Sequence, residues 1–176
     1  MKSLALSIVL ILMTTLISAQ EKTDRQYPTR DFDYAAVQMQ IDELSKDLKV
    51  NIYYLAKAQA WLNSSKYEMW RNDSGWWPRE SYDEALRVVT AIKNKDQSAL
   101  AKTSQLKLNQ LIADDLWQEV VTAKKLSKPC AKQLTARAEV ELMHAAYEAQ
   151  ETTWKDANPQ LAIAKSLLAR AKTCTQ

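Results

Sequence analysis

The sequence predicts an all-α protein of about five helices, arranged as two helical hairpins joined by a long helix. Three observations support this prediction. The 176 residues include one Gly and four Pro, so few residues favour turns. Ala, Leu, Lys, Gln and Glu are abundant, and these are strong helix formers. Apolar residues also recur with the helical period through the long segments described below.

The first 19 residues have the order of a secretory signal peptide. Lys2 precedes an apolar run over residues 4–17, and small residues follow up to the expected cleavage point after Ala19. The run is shorter than the roughly 20 residues that cross a bilayer, and no second such run follows. Residues 16–19 resemble a bacterial lipoprotein box, but Gln20 stands where the lipidated Cys would be. We therefore expect an exported, periplasmic protein with no lipid anchor and no membrane span after cleavage.

The composition divides the chain into a signal peptide at residues 1–19, a flexible polar leader at residues 20–32 and a single helical domain at residues 33–176. The formal net charge is +3, and it falls by one unit when Lys2 is removed with the signal peptide. Basic and acidic residues are interspersed along the chain. The charge pattern therefore predicts no nucleic-acid partner.

The first helical pattern covers residues 33–71, and Asp33 is its predicted N-cap. The pattern indicates either one very long helix or two helices joined by a kink near Lys49. It ends at residues 72–75, which contain the single Gly of the chain.

Four further helices are predicted from their N-terminal signals. A capping box at residues 81–84 begins the second helix, and a third, long helix covers residues 96–126. Pro129 begins the fourth helix. The Asn158-Pro159 pair begins the fifth, because Asn caps helices and Pro suits a first turn.

Residues 56–68 and 136–148 share the pattern Ala-(Lys/Arg)-Ala-(Gln/Glu)-x-x-Leu-x4-Tyr-Glu, which is either an internal duplication or a chance similarity between Ala-rich helices. Each copy precedes a Trp-containing loop and an Ala-rich segment, so each is the predicted first arm of a hairpin. One arc of each copy is predicted to be buried: Ala58, Leu62 and Ser65, and Ala138, Leu142 and Ala145. The opposite arc is predicted to face solvent: Lys57, Ser64 and Glu68, and Arg137, His144 and Glu148.

The stretches YYLAKAQAWL with RNDSG, and ARAEVEL with TTWKDANPQLAIAKSLL, resemble a known family. The family is the helical periplasmic domain that precedes the OmpA-like peptidoglycan-binding domain in certain bacterial envelope proteins. The resemblance implies a helical module of the cell envelope. The 176 residues contain no OmpA-like domain, so the resemblance does not imply anchoring to the cell wall.

Signatures of catalysis and metal binding are weak in this sequence. His144 is the single His of the chain, so any triad would have to centre on it. Glu141 and His144 have the E-x-x-H spacing of di-iron helical bundles, but those sites need a second such pair. With Arg137 and Glu148, these residues are predicted to form a solvated charge cluster. We expect no catalytic residue, no metal site and no cofactor.

Gln59 and Glu139 occupy equivalent positions in the two copies, each among apolar neighbours. A buried carboxylate without a partner is costly, so we expect Glu139 to be hydrogen-bonded inside the bundle. Gln59 is a candidate for its partner. The expected role of both is structural, and a binding role is the alternative.

Cys130 and Cys174 are the two cysteines of an exported chain, which predicts a disulfide. One begins the fourth predicted helix and the other ends the fifth. In an antiparallel hairpin these positions lie close together, so the bond is predicted to join the two ends of the C-terminal hairpin.

Residues 67–80, YEMWRNDSGWWPRE, are predicted to form the contact surface of the protein. Trp70 is predicted to be buried, because it continues the arc of Ile52 and Gln59. Trp76 and Trp77 either both cap the core, or one of them meets a sugar or a protein partner. In the second case Arg71 and Arg79 would supply polar contacts, since Trp and Arg are enriched at interface hot spots.

These observations predict an exported, non-enzymatic helical module that binds another envelope component or self-associates. The alternative is a small carbohydrate- or peptide-binding periplasmic protein that uses the Trp-rich loop. The expected partner is an envelope protein or a glycan.

Overall fold

The computed structural model of the chain describes residues 32–71, 73, 75–102, 104, 106–152 and 154–174. These residues form helices and no strand, which confirms the predicted all-α class. The helices in this part of the chain are α1 (Tyr34–Leu44), α2 (Ile52–Trp70), α3 (Trp77–Lys93), α4 (Gln97–Ala101), α5 (Asp114–Ala123), α6 (Pro129–Glu151) and α7 (Trp154–Lys172). The predicted count of five is therefore wrong.

The signal peptide and residues 20–31 of the leader lie outside the described residues. Among the helices named above, none is long and apolar enough to cross a bilayer.

The pattern over residues 33–71 forms two helices, which is one of the two alternatives for this segment. The Asp33 carboxylate caps α1 by accepting a hydrogen bond from the Ala36 amide at 2.8 Å. The Asn51 side chain caps α2 by accepting from the Tyr53 amide at 3.0 Å. The cap at Asn51 therefore begins a second helix, close to the kink predicted near Lys49.

Helix α3 begins at Trp77, earlier than the predicted capping box at residues 81–84. Pro78 lies in the first turn of α3, where its missing amide hydrogen costs no helical hydrogen bond. Ser81 is instead fully buried within the helix. The position of Pro78, and not the capping box, therefore marks the start of this helix.

The predicted long helix over residues 96–126 is wrong, because among the described residues of this range only those of α4 and α5 are α-helical. Ala113, just before α5, has a left-handed φ of 59°, and two acidic residues in the first turn of α5 favour a new start there. Ile112 and Leu108 pack on Ala145 and Ala146 of α6. Tertiary packing of this non-helical segment therefore overrides its helix propensity.

Helix α7 begins at Trp154, and Pro159 lies inside it, so the predicted start at the Asn158-Pro159 pair is wrong. Asp156 in the first turn favours the earlier start. Helices α6 and α7 form the predicted C-terminal hairpin. Leu142 of α6 and Leu167 and Leu168 of α7 belong to one buried apolar cluster between them.

The two hairpins, α2 with α3 and α6 with α7, pack through their first arms. Lys57 contacts Glu139, and further along both helices Glu68 contacts His144, so α2 and α6 run parallel. The six residues of the predicted buried arc are all fully buried, which confirms that part of the pattern. This arc faces the other arm of its own hairpin, as shown by the hydrogen bond from Ser65 to the Pro78 carbonyl.

The opposite arc was predicted to face solvent, and this prediction is wrong for four of its residues. Lys57, Glu68, His144 and Glu148 are buried, while Arg137 is exposed as expected. The reason is the packing of one hairpin against the other: a face that is polar in each separate hairpin becomes the interface between α2 and α6. Charged residues at such an interface must pair with each other.

The turn between α2 and α3 is tied to α6 through Asp73. Its carboxylate accepts hydrogen bonds from the Gly75 amide at 2.7 Å and from the Tyr147 hydroxyl at 2.8 Å. A Cβ atom at Gly75 would come closest to the Tyr147 hydroxyl and would lie 2.9 Å from the Asp73 carboxylate, so both side chains would have to shift. The single Gly therefore permits this close approach.

Candidate functional site

A groove of about 590 Å³ lies between α1, α2, α6 and the end of α7. Aliphatic side chains from three helices form much of its wall: Ile41, Ile52, Leu55, Ala56, Ala60 and Leu134. Polar and charged residues complete it: Asp42, Ser45, Gln59, Asn63, Cys130, Gln133, Arg137, Arg170 and Cys174. No aromatic side chain is present among the described residues that line it.

Arg137 and Arg170 give this groove a positive edge. Both residues are exposed, and Arg137 also interacts through its charge with Glu141, four residues further along α6. Asp42 is the acidic residue among those lining the groove. The net charge of the lining therefore favours an anionic group on a ligand.

The groove continues at the α1–α2 turn into a second depression of about 350 Å³. The two share Ser45, Ile52 and Leu55. Leu48, which lines the second depression, is 99% exposed. A fully exposed Leu beside an apolar groove extends the apolar surface that a ligand could contact.

Cys130 and Cys174 lie at disulfide distance, with 2.09 Å between their sulfur atoms and 6.2 Å between their Cα atoms. This is the pairing that the sequence predicts. It links the first turn of α6 to the residues just after α7, and both cysteines line the groove.

Glu139 is buried and hydrogen-bonded, as expected, but its partner is not Gln59. It accepts a hydrogen bond from the Tyr53 hydroxyl, and its carboxylate lies 3.2 Å from the Lys57 ammonium and 3.1 Å from that of Lys124. Burial alone would raise the pKa of Glu139, but the two ammonium groups and the hydroxyl outweigh it and hold the pKa below its ordinary value. Burial, together with the neighbouring carboxylate, raises the pKa of Tyr53.

Gln59 turns towards α1 instead. It exchanges two hydrogen bonds with Gln38, at 2.8 and 2.9 Å, and donates another to Asn63 at 2.9 Å. Sequence reasoning missed Lys57 as the partner of Glu139, because Lys57 was assigned to the solvent arc. A buried carboxylate needs a cation nearby, and this requirement could have indicated a Lys as the partner of Glu139.

A second buried polar cluster lies further along the α2–α6 interface, and we call it the Glu-His-Glu cluster: Glu68, His144 and Glu148. The His144 Nε2 atom lies 3.2 Å from a Glu68 carboxylate oxygen and 3.5 Å from one of Glu148. Arg71 contacts both carboxylates, at 3.2 and 3.6 Å. The predicted solvated cluster around His144 is therefore wrong, although Glu141 is partly exposed.

The charges of the Glu-His-Glu cluster stabilise one another. Burial alone would lower the pKa of His144, but the carboxylates of Glu148 and Glu68 outweigh it and raise this pKa. Burial would raise the pKa of Glu68, but His144 and Arg71 outweigh it and lower that value. The indole of Trp77 stacks on the imidazole, with ring centroids 4.9 Å apart and planes at 13°. One donor atom from each of the three residues lies within 4.8 Å of the others, so the cluster could hold a metal ion.

The Trp residues of the predicted contact surface are placed differently from the prediction. Trp70 is 80% exposed, so the prediction that it is buried is wrong. Its arc, through Ile52 and Gln59, faces the groove and not the core. Trp76 and Trp77 are both buried, which matches the alternative that both cap the core.

Three of the candidate binding residues lie near one another, since the ring centroids of Trp76 and Trp77 are 5.9 Å apart, and Arg79 has a different partner. Trp77 and Arg71 border the Glu-His-Glu cluster. Trp76 donates a hydrogen bond to Glu151 at 3.1 Å, and Arg79 lies on α3, where its guanidinium is 3.8 Å from Asp83.

Comparison with known proteins gives no relative for this arrangement: no protein-family model, no curated protein and no solved structure matches the chain. The resemblance to the helical domain that precedes OmpA-like domains gains no support from these comparisons, and it stays a prediction.

Proposed function

We propose that this chain is an exported, non-enzymatic helical module that binds a segment of another cell-envelope protein in the groove between α1, α2 and α6. The observation that carries the proposal is the composition of the groove, which combines an aliphatic wall with two exposed guanidinium groups. Such a groove fits a peptide segment with an apolar side chain next to a carboxylate.

Two features support an envelope location. The first residues of the chain have the order of a secretory signal peptide. The cysteine pair at disulfide distance is compatible with an oxidising compartment.

The same composition favours a peptide over a sugar as the ligand of the groove. Sugar sites use aromatic rings as stacking surfaces, and the described lining of the groove has none. Aliphatic walls with a few convergent polar groups are the usual composition of sites for apolar side chains.

The proposal can be tested with an immobilised array of peptides that place one apolar side chain beside an Asp, a Glu or a C-terminal carboxylate. The protein should bind a subset of these peptides. Reversing both charges with R137E and R170E should weaken that binding by roughly tenfold or more. Replacing the acid of a bound peptide by Lys should restore its affinity for the double variant.

A matched control is the double variant with K125E and K165E, which reverses two exposed charges outside the groove. It should bind the peptides as the unaltered protein does. Equal loss in both double variants would point to a general charge effect and would contradict the proposal. Sedimentation of a dimer that the groove variants dissociate would instead show that a second copy occupies the groove.

A second candidate function is binding of a glycan or protein at the end of α2. Trp70 is 80% exposed and Tyr67 is 51% exposed, and the Arg71 guanidinium lies 5.6 Å from the Tyr67 ring centroid. Exposed rings beside a guanidinium suit stacking on sugars. Co-sedimentation with isolated peptidoglycan should then be lost in W70A and kept in M39A, which alters another exposed apolar residue.

A further inference from the structure

We propose that Glu68, His144 and Glu148 form a binding site for one divalent transition-metal ion of the Zn²⁺ class, which links the two helical hairpins. The three side chains come from two helices: Glu68 from α2, and His144 and Glu148 from α6. All three are buried. A metal bound here would be held between the first arms of the hairpins.

The spacing of the donor atoms fits a tetrahedral ion. Ligand atoms at roughly 2.0–2.2 Å from Zn²⁺ in a tetrahedron stand roughly 3.3–3.6 Å from one another. The His144 Nε2 atom lies 3.2 Å from the Glu68 oxygen and 3.5 Å from the Glu148 oxygen. Two edges of the tetrahedron are therefore close to their required lengths, and all three donor atoms lie within 4.8 Å of one another.

The chemistry of His144 also indicates a ligand. His144 is 4% exposed, and its Nε2 atom makes ion-pair contacts with Glu68 and Glu148 but no regular hydrogen bond among the described residues. Buried polar atoms are nearly always hydrogen-bonded, so a buried nitrogen that is held by charge contacts alone is a candidate ligand atom. Once the imidazole has lost its proton to an incoming ion, its nitrogen and the two carboxylates form a donor set used for Zn²⁺, whereas Ca²⁺ and Mg²⁺ prefer oxygen ligands alone.

Arg71 is the group that a metal must displace. Its guanidinium contacts Glu68 at 3.2 Å and Glu148 at 3.6 Å, and so neutralises part of their charge. Its side chain is 47% exposed, which leaves it room to turn towards solvent. A cavity of about 210 Å³ lined by Glu68, Arg71, Tyr147 and Glu148 gives an entry path at this point.

The test uses the full secreted chain without a polyhistidine tag, because His144 is the single His in the sequence. Zn²⁺ is titrated by isothermal calorimetry, and the ¹⁵N shift of the imidazole Nε2 is followed by NMR in the same titration. We expect one Zn²⁺ per chain, a shift of the Nε2 resonance that saturates at one equivalent, and a Tm rise of roughly 5–10 °C at a hundredfold excess over Kd. Mg²⁺ should produce none of these changes.

Variants separate the three ligands from their neighbours. H144Q and E148Q should each weaken Zn²⁺ binding at least tenfold, and E119Q, which makes the same change at a more exposed residue of α5, should leave it unaltered. R71Q should bind Zn²⁺ as tightly as the unaltered protein or more tightly, because the competing cation is gone. If a ligand variant does not fold, the Nε2 resonance of the unaltered protein still decides the question.

Two results would overturn the proposal. One is a folded, unaltered protein whose Nε2 resonance does not move when Zn²⁺ is added in excess. The other is equal Zn²⁺ affinity in the unaltered protein and in folded H144Q.

Discussion

The Lys57 ammonium lies 3.2 Å from the Glu139 carboxylate, and both side chains are buried between α2 and α6. This contact joins two helices that belong to different hairpins. Tyr53 and Lys124 complete the set around Glu139. The Lys57–Glu139 pair favours this arrangement of the two hairpins, because a shift of α2 along α6 would leave the buried Glu139 with Lys124 as its remaining cation.

We expect K57M to destabilise the protein by up to about 3–5 kcal/mol, since it removes one of the two ammonium groups beside the buried Glu139 and leaves that of Lys124. The free energy of unfolding in urea measures the effect. The control is K172M, which breaks the more exposed Lys172–Glu119 pair of 2.7 Å and should cost about 0–1 kcal/mol. Similar losses in the two variants would contradict the structural role of the Lys57–Glu139 pair.

The pKa of Glu139 predicts how stability varies with acidity. In the folded protein this pKa lies below the ordinary value of 4.5, so the unfolded chain binds the proton more tightly. The contribution of Glu139 is therefore fully present well above pH 4.5 and is lost as the pH falls through the folded pKa. Between about pH 5 and pH 3, E139Q should show a shallower fall of unfolding free energy than the unaltered protein, by up to about 1.4 kcal/mol per pH unit. Parallel curves for the two proteins would show that Glu139 does not contribute.

Helical periodicity predicted the faces that meet inside each hairpin, but not the face between the hairpins. The buried arc of Ala58, Leu62 and their counterparts on α6 follows from a local pattern, because small and apolar residues recur at helical spacing. The interface between α2 and α6 is built from Lys57, Glu68 and His144, whose types indicate a solvated face when each helix is considered alone. Their burial depends on contacts between residues more than seventy positions apart, which periodicity does not contain.

The disulfide was predictable because two cysteines permit one pairing and the hairpin brings them together. The loop between Cys130 and Cys174 spans 44 positions, which gives a stabilisation of about 4 kcal/mol on the chain-entropy model. The double variant with C130S and C174S should therefore lose up to about 4 kcal/mol of unfolding free energy. The protein, purified and unfolded without reductant, should show no free thiol in a colorimetric assay. Two titratable thiols per chain would disprove the pairing.

The last prediction compares Trp77, which is buried, with Trp70, which the sequence predicted to be buried but which is exposed. Trp77 is fully buried, stacks on His144 and donates a hydrogen bond to Ser64 at 2.9 Å, whereas Trp70 is 80% exposed. W77A should cost about 3–5 kcal/mol, because it removes a large buried ring and leaves a cavity between α2 and α6. W70A should change the unfolding free energy by less than about 0.5 kcal/mol, as exposed substitutions do. Urea unfolding followed by circular dichroism measures both without relying on Trp fluorescence. A large loss in W70A together with a small one in W77A would reverse the assignment of core and surface at this end of the bundle.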